Sequence, residues 1–414
     1  MKHRWKQGKD MLAEGSVSPR ATSLSGSNSG KIHFLMIRKK GPALNNFFLI
    51  FFLFLSLISV LSFPQPVLSD PDRGQTPSRP IITDSLKRKV EIPLRVDRVL
   101  SLQPEISRLM VALGGGEHLV GIDRFLRFED HLFHLIYPPA KELPLIALTD
   151  ESINAETILR FQPDVVFVSP SEPSLAESLS RKLTIPVIAL SSMGRFDLLL
   201  EELVMTAQVV NKEERAAELK AYFEEKLAWL AELLKPVVNR PKPRVYLAFW
   251  SSLLMTPVYY DPVKAAGGLN LAEGLLPSYS GTVRTVVSLE QILRWNPDII
   301  LVHGNYPPQE RQVTVEKIIQ DKRLSYVEAV KKKKVYYTFG FWYWWDPAEA
   351  LFECFYLASL FYPELREKIN LKTLGEEIFA KFYHAPQAFS HLLQILGTQT
   401  FFIEDRDIFP FRSR

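Results

Sequence analysis

Cysteine is almost absent from this chain, with Cys354 the only one among 414 residues. That excludes a disulfide framework and a cysteine-rich metal site. Cys354 lies in an apolar helical run and reads as a core residue. Other signatures are missing too. There is no serine-elbow or zinc-protease motif. Residues 26–31, GSNSGK, are too short for a phosphate-binding loop, are followed by Ile32 where a hydroxyl belongs, and have no strand before them. Gly114-Gly115-Gly116 follows a helix instead of opening one, which makes it a C-cap and not a dinucleotide site. His131 and His134 have no third ligand at metal-site spacing and read as surface residues. The net charge is +4, but much of it sits in the first 40 residues. The body has no basic stripe, so nucleic acid is not an expected partner.

What is present begins with an export signal. Residues 47–63, FFLIFFLFLSLISVLSF, are almost wholly apolar and follow Arg38-Lys39-Lys40. A basic segment followed by an apolar one is the pattern of a signal peptide, and Val67-Leu68-Ser69 offers a place for cleavage. Its length also approaches that of a minimal membrane span. The expectation is therefore export, as a free periplasmic protein or one held by an uncleaved anchor. A start at Met36 would give a signal peptide of ordinary proportions. No cysteine follows the apolar run, which excludes bacterial lipid attachment there. We take residues 1–69 as this N-terminal region and residues 70–80, DPDRGQTPSRP, as a linker.

Beyond the linker, strands and helices alternate. Strands are predicted at 98–102, 119–122, 187–190, 244–249 and 334–337, with helices at 105–113 and 347–360. The firmest helix covers 212–235, with Asn211 as its cap. Ala216, Leu219, Tyr222, Phe223, Leu227, Leu230 and Leu234 give it amphipathic spacing. Such alternation predicts an α/β protein with parallel sheets. The organisation expected is an N-terminal lobe at 82–210, a linking helix at 211–236 and a C-terminal lobe at 243–395 with a helical tail.

One stretch occurs twice. Residues 154–168 read NAETILRFQPDVVFV and residues 288–302 read SLEQILRWNPDIILV. Glu156, Ile158, Leu159, Arg160, Pro163, Asp164 and Val168 recur as Glu290, Ile292, Leu293, Arg294, Pro297, Asp298 and Val302. Each copy offers an N-cap, Asn154 or Ser288, with a glutamate in the first turn, where the helix dipole favours negative charge. A proline then ends the helix and a buried strand follows. Two similar lobes are implied, each with one glutamate at an equivalent surface position.

Aromatics form the remaining signal. Phe341-Trp342-Tyr343-Trp344-Trp345 places five in a row, and neighbours along a strand or loop point in different directions. One core cannot bury them all, so some face solvent or a cleft. Phe249, Trp250, Tyr259, Tyr260 and Tyr306 stand at or beyond strand ends, where α/β sheets collect ligands.

These features in order resemble the substrate-binding proteins of ABC importers for ferric siderophores, haem and cobalamin. The resemblance runs from about Ile82 to Pro363. It rests on ITDSLKRKVEIP, RVLSLQP, LGGGEHLVGID, INAETILRFQPDVVFV, the charged long helix, AGGLNLAE with VSLEQILRWNPDIILV, and WDPAEALFECFYLASLFYPEL. It implies two α/β sandwich lobes joined by one long helix, with a ligand cleft between them. It also implies a monomeric receptor, not an enzyme, with no intrinsic cofactor and no metal site of its own, that delivers an iron chelate or corrinoid to an ABC permease. Glu156 and Glu290 match the family's paired glutamates that dock on the permease. The residues expected to line the cleft are Gln103, Arg124, Trp250, Arg284, His303, Tyr306, Trp342 and Tyr343. Arg124 and Arg284 would meet ligand carboxylates. Two other readings stay open: a two-lobed α/β enzyme, and a membrane-tethered interaction module that uses its aromatics.

Overall fold

The alternating pattern becomes two parallel sheets of identical topology. The computed structural model describes residues 79–146, 153–171, 173–190, 194–278, 282–304, 312–339 and 346–397. These lie within one compact unit. The chain enters on a short hairpin, β1 (Ile81–Thr83) and β2 (Lys89–Glu91). The first sheet holds β3 (Val99–Ser101), β4 (Leu119–Gly121), β5 (Val165–Val168) and β6 (Val187–Ala189). Its helices are α1 (Pro104–Ala112), α2 (Arg124–Phe128), α3 (His131–Ile136), α4 (Ala155–Leu159) and α5 (Pro173–Lys182). Helices α6 (Phe196–Val210) and α7 (Glu213–Leu234) lead to the second lobe.

That lobe is built on β7 (Arg244–Ala248), with a side hairpin of β8 (Met255–Pro257) and β10 (Arg284–Val286). The sheet is completed by β9 (Leu269–Asn270), β11 (Ile299–Val302) and β12 (Val335–Tyr337). Helices α8 (Asp261–Ala265), α9 (Leu289–Trp295), α10 (Val315–Gln320), α11 (Glu328–Lys331) and α12 (Pro347–Phe361) surround it. The sheets run β4-β3-β5-β6 and β9-β7-β11-β12. In each lobe the second sheet strand lies beside the first, and the third and fourth follow on the other side. All sheet pairings are parallel. Strands β3, β5, β6, β11 and β12 are buried on both faces, which is why their sequences are apolar runs without alternation.

The repeated stretch occupies the same place in each lobe, as α4–β5 and α9–β11. Asn154 and Ser288 cap their helices by accepting the Thr157 and Gln291 N–H groups at 3.0 and 3.1 Å. Gln162 and Asn296, which align in the repeat, both reverse the chain with left-handed backbones, at φ 46° and 44°. The repeated aspartates then clasp the neighbouring strand. Asp164 accepts the Asp97 and Arg98 amides at 2.9 Å, and Asp298 accepts that of Arg244 at 2.9 Å. Each repeat thus fixes the first strand of its lobe against the third.

Helix α7 buries Ala216, Leu219, Phe223 and Leu230 along one stripe and measures about 33 Å at 1.5 Å per residue. The expected cap is corrected here. Asn211 takes a left-handed backbone, φ 54°, at the C-terminus of α6, and α7 begins after Lys212 without a side-chain cap. Beyond α12, helices α13 (Leu371–Tyr383) and α14 (Pro386–Gly397) turn back to pack on α1 and α3 of the first lobe. Phe389 of α14 closes over Gly375, leaving no room for a Cβ there, and packs on Phe339, Phe352 and Phe379.

Two polar ties join the lobes directly. In the first, Arg108 of α1 donates to Asp130 from Nε at 2.8 Å, and from Nη1 to Asp346 at 3.1 Å and Glu349 at 2.7 Å. All four side chains are buried. Both aspartates are N-caps: Asp130 Oδ1 accepts Phe133 N–H in α3, and Asp346 Oδ1 accepts Glu349 N–H in α12. One guanidinium therefore joins the N-terminus of a helix in each lobe. In the second tie, Asp261 of α8 donates its N–H to Gly194 O at 2.8 Å, and its carboxylate accepts Phe196 N–H at 2.7 Å, capping α6 from the opposite lobe. Gly194 has φ 88°, and a Cβ there would fall 2.3 Å from the Tyr259 carbonyl oxygen, so only glycine fits.

Three carboxyl groups around one arginine leave excess negative charge. Burial, assisted by Asp346 and Asp130 and opposed by Arg108, holds the Glu349 carboxyl well above its ordinary value of 4.5. Above that value the unfolded chain releases a proton that the folded chain keeps, so this group makes stability fall as pH rises. Glu349→Gln should remove that dependence. Thermal midpoints of the variant should gain on those of the parent as pH goes from about 5 to about 8, as read by circular dichroism.

Candidate functional site

A sheet ordered second, first, third, fourth reverses its direction of growth between the first and third strands. The crevice outside the carboxyl ends of those strands is where such sheets hold ligands. In the second lobe those strands are β7 and β11, and the residues that follow them are Phe249-Trp250 and His303. Strand β12 runs beside β11, and the β8 arm folds back on the end of β7, where Phe249 N–H donates to Met255 O at 2.8 Å.

Three of the residues expected from sequence are brought together here. The guanidinium of Arg284, on β10, lies 4.7 Å above the centroid of the Trp250 ring. Trp250 donates its backbone N–H to Nδ1 of His303 at 3.3 Å. An accepting Nδ1 puts the imidazole proton on Nε2. His303 is buried and stacks on Phe249, with ring centroids 4.6 Å apart and planes at 19°. Burial drives its pKa well below 6.5, so the ring is neutral. Arg284 and Trp250 are only half-buried. The site thus offers a fixed positive charge held on an indole face, beside an uncharged imidazole.

The turn that carries Trp250 is strained. Trp250 and Ser251 both have left-handed backbones, φ 54° and 52°. Such a conformation costs roughly 1–2 kcal/mol for each non-glycine residue. It is held by the bond to His303, by Ser252 N–H on Phe249 O, and by Ser251 Oγ accepting Gln312 N–H at 2.8 Å. Strain kept up by surrounding contacts is a mark of functional turns.

The first lobe is arranged differently. Gln103 follows β3 but is buried, and its amide donates to Glu105 at 2.8 Å and Leu190 O at 3.2 Å, linking the ends of β3 and β6. Arg124 stands exposed beyond β4, 5.1 Å over the ring of Phe128. Tyr306, Trp342 and Tyr343 lie outside the described residues. Sequence reasoning passed over Asp123, whose carboxylate caps α2 by accepting Leu126 N–H and whose pKa burial raises to about 6. Its signal was an aspartate between a strand and a short helix. Of the histidines weighed as metal ligands, His134 instead contacts Arg127 O at 2.8 Å. No metal-holding cluster of His, Cys, Asp and Glu occurs among the described residues. Two surface grooves, of about 530 Å³ beside β2 and α5 and about 420 Å³ beneath the end of α7, open near the amino ends of the strands, away from this site.

The two glutamates expected to dock on the permease are both on the surface. Glu156, in the first turn of α4, is exposed and pairs with Arg160 at 2.9 Å. Glu290, in the first turn of α9, is exposed, and bonds from its own backbone N–H and from Ser288 hold its carboxyl below the usual range.

The chain belongs to the periplasmic binding protein family, whose model matches residues 99–339. It is a solute-binding protein of the kind that serves ABC transporters, and the family's location is the periplasm. It is 29% identical over 338 residues to the molybdate-binding protein MolA of Haemophilus influenzae, covering 73% of this chain and 90% of that one. The structure of MolA bound to molybdate superposes with a TM-score of 0.60, covering 74% of this chain and 98% of that one at 27% identity. The vitamin B12-binding protein of Pectobacterium carotovorum is 28% identical over 215 residues, 50% of this chain and 71% of the relative. Helicobacter pylori CeuE, 16% identical with a TM-score of 0.61 and covering 76% of this chain and 98% of that one, shares the fold. No helix among the described residues is long and apolar enough to cross a membrane, and residues 47–63 lie outside them.

The tautomer of His303 can be checked directly. In ¹⁵N-labelled protein its ring should show Nε2 protonated and Nδ1 bare, with no charge gained around pH 6.5, where a free imidazole titrates. A ring that gains charge near pH 6.5 would contradict the burial described here.

Proposed function

We propose that this protein is the receptor of an ABC importer for a compact metal oxyanion of the molybdate class, which binds between the lobes at Trp250, Arg284 and His303. The observation that carries this is the Arg284 guanidinium laid on Trp250 beside a neutral imidazole at the strand ends. An anion needs a permanent charge and N–H donors that do not compete with it for protons. Arg284 offers both, a guanidinium that stays charged and carries several N–H donors, and the buried, neutral His303 nearby adds no competing charge. The match to MolA along most of that protein's length supports the same ligand class. Arg124 of the first lobe stands on the corresponding side and could meet the anion's outer oxygens.

A second reading keeps a ferric chelate, haem or corrinoid as ligand. It is supported by the half-buried Trp250, by Tyr259 at 41% exposed and by the run Phe341–Trp345, and it agrees with the likeness to the B12-binding protein. In that case Tyr306, Trp342 and Tyr343 would face the chelate. On either reading the protein is a monomer that binds one ligand and does not turn it over.

Calorimetric titration with molybdate, tungstate, sulfate, a ferric hydroxamate, haem and cobalamin separates the two. The oxyanion reading expects molybdate or tungstate to bind one-to-one. Binding of a chelate alone would replace it with the second reading, and binding of none would remove both. Arg284→Ala should weaken molybdate by roughly 10- to 150-fold, the equivalent of about 1.5–3 kcal/mol for a hydrogen bond to a charged group.

Delivery is assigned to Glu156 and Glu290. They are exposed and stand in the first turns of equivalent helices. Charges placed this way steer and register a partner more than they add affinity. The double variant Glu156→Ala/Glu290→Ala should keep ligand affinity within a few-fold while uptake through the reconstituted permease falls sharply. Normal uptake would reduce both residues to helix-end charges, and a parallel loss of ligand affinity would place them in the cleft.

A further inference from the structure

The tie made by Arg108 does more than hold charge. Arg108 lies in α1, which starts where β3 ends, and Asp346 and Glu349 begin α12. The residues joined are 238 and 241 positions apart in sequence. Each aspartate uses one oxygen for its own helix and the other for Arg108, so moving the guanidinium would uncap a helix in each lobe. Its fork engages all three nitrogens at once: Nε and Nη2 converge on Asp130 Oδ2 at 2.8 and 2.7 Å, and Nη1 faces the second lobe. A lysine carries the same charge but has no fork, and so cannot hold both helix ends in one geometry.

From this we infer that Arg108 is a positioning residue for ligand binding: it sets the width of the cleft by fixing the N-terminus of α3 against that of α12. The inference rests on reading the strand ends as the ligand cleft. The lobes are also joined by α7, by the packing of α13 and α14 on α1 and α3, and by the Gly194–Asp261 tie. The Arg108 tie is the contact in which one buried charge holds two helix N-termini, one in each lobe. With it in place the spacing between Arg124 and Arg284 is fixed before ligand arrives. Binding groups perform best when held within about 0.5 Å of their working geometry. Arg108 touches no ligand, so its effect should appear as a change in lobe spacing.

The chain lends itself to measuring that spacing, because Cys354 is buried and introduced surface thiols can be labelled selectively. Spin labels at Glu177→Cys on α5 and Tyr326→Cys before α11, both exposed, report one distance across the lobes. The full exported chain with native Arg108 should give one narrow distance distribution, the same with and without molybdate. Arg108→Met should broaden and lengthen it by several ångströms and weaken molybdate binding at least 10-fold. Arg108→Lys keeps the charge and is the second variant should the methionine protein not fold; it too should broaden the distribution. A variant that melts earlier but keeps the narrow native distance would overturn the inference, leaving Arg108 a stability residue only. If distances widen as expected while no ligand of the panel binds native protein, the lobe tie stands and the ligand assignment is what fails.

Discussion

Backbone N–H groups at the start of a helix have no partner within that helix, and three aspartates that meet that need in this protein also join its lobes. Asp261 of the second lobe caps α6, and Asp130 and Asp346 cap α3 and α12 while sharing one arginine. A single cap contributes only about 1 kcal/mol. Here the caps are also the interlobe contacts, so local helix stability and global arrangement cannot vary separately. Truncating one member of a buried charged group typically costs about 3–5 kcal/mol, because it strands the others without compensation. The two lobes are therefore held at one spacing by groups that each lobe needs for its own folding.

Much of the fold was legible in the sequence because it rests on local pattern. The stripe on α7, the apolar runs of β5 and β11, and the repeat around Pro163 and Pro297 each declare themselves within a few turns of chain. The first error was local as well: Asn211 looked like an N-cap for α7, and a left-handed turn ending α6 had the stronger claim on it. What stayed illegible was pairing at long range. Nothing near Arg108 in the sequence points to Asp346, and nothing near Asp261 points to Phe196. The role of the repeated aspartates was also hidden, since their partners, the amides of Arg98 and Arg244, belong to strands that precede the repeat.

The site shows the same division. Trp250 and His303 were singled out because they follow strands, and Arg284 because a guanidinium suits ligand carboxylates; the sheet order places the first two at its point of reversal, and Arg284, on β10, lies over Trp250. Gln103 follows a core strand by the same logic, yet its amide is occupied in joining β3 to β6. Position relative to a strand tells which end of the sheet a residue occupies; it does not tell whether its polar atoms are already engaged. The neutral state of His303 was likewise out of reach, because it follows from burial against Phe249 and from one backbone N–H.

Helix α14 has a consequence for how the chain acquires its structure. It lies on α3, so the last described element covers a face of the first lobe, with the whole second lobe between them in sequence. The first lobe is then not a self-sufficient unit that forms as soon as its own residues are available. Its α3 face stays bare, and Asp130 lacks an Arg108 that is also held by Asp346, until the far end of the chain arrives. Contacts of such long sequence separation form late and slowly, because the intervening loop must close first. In a member of a periplasmic family, such late closure would leave the chain loose until its C-terminal helices are available to complete it.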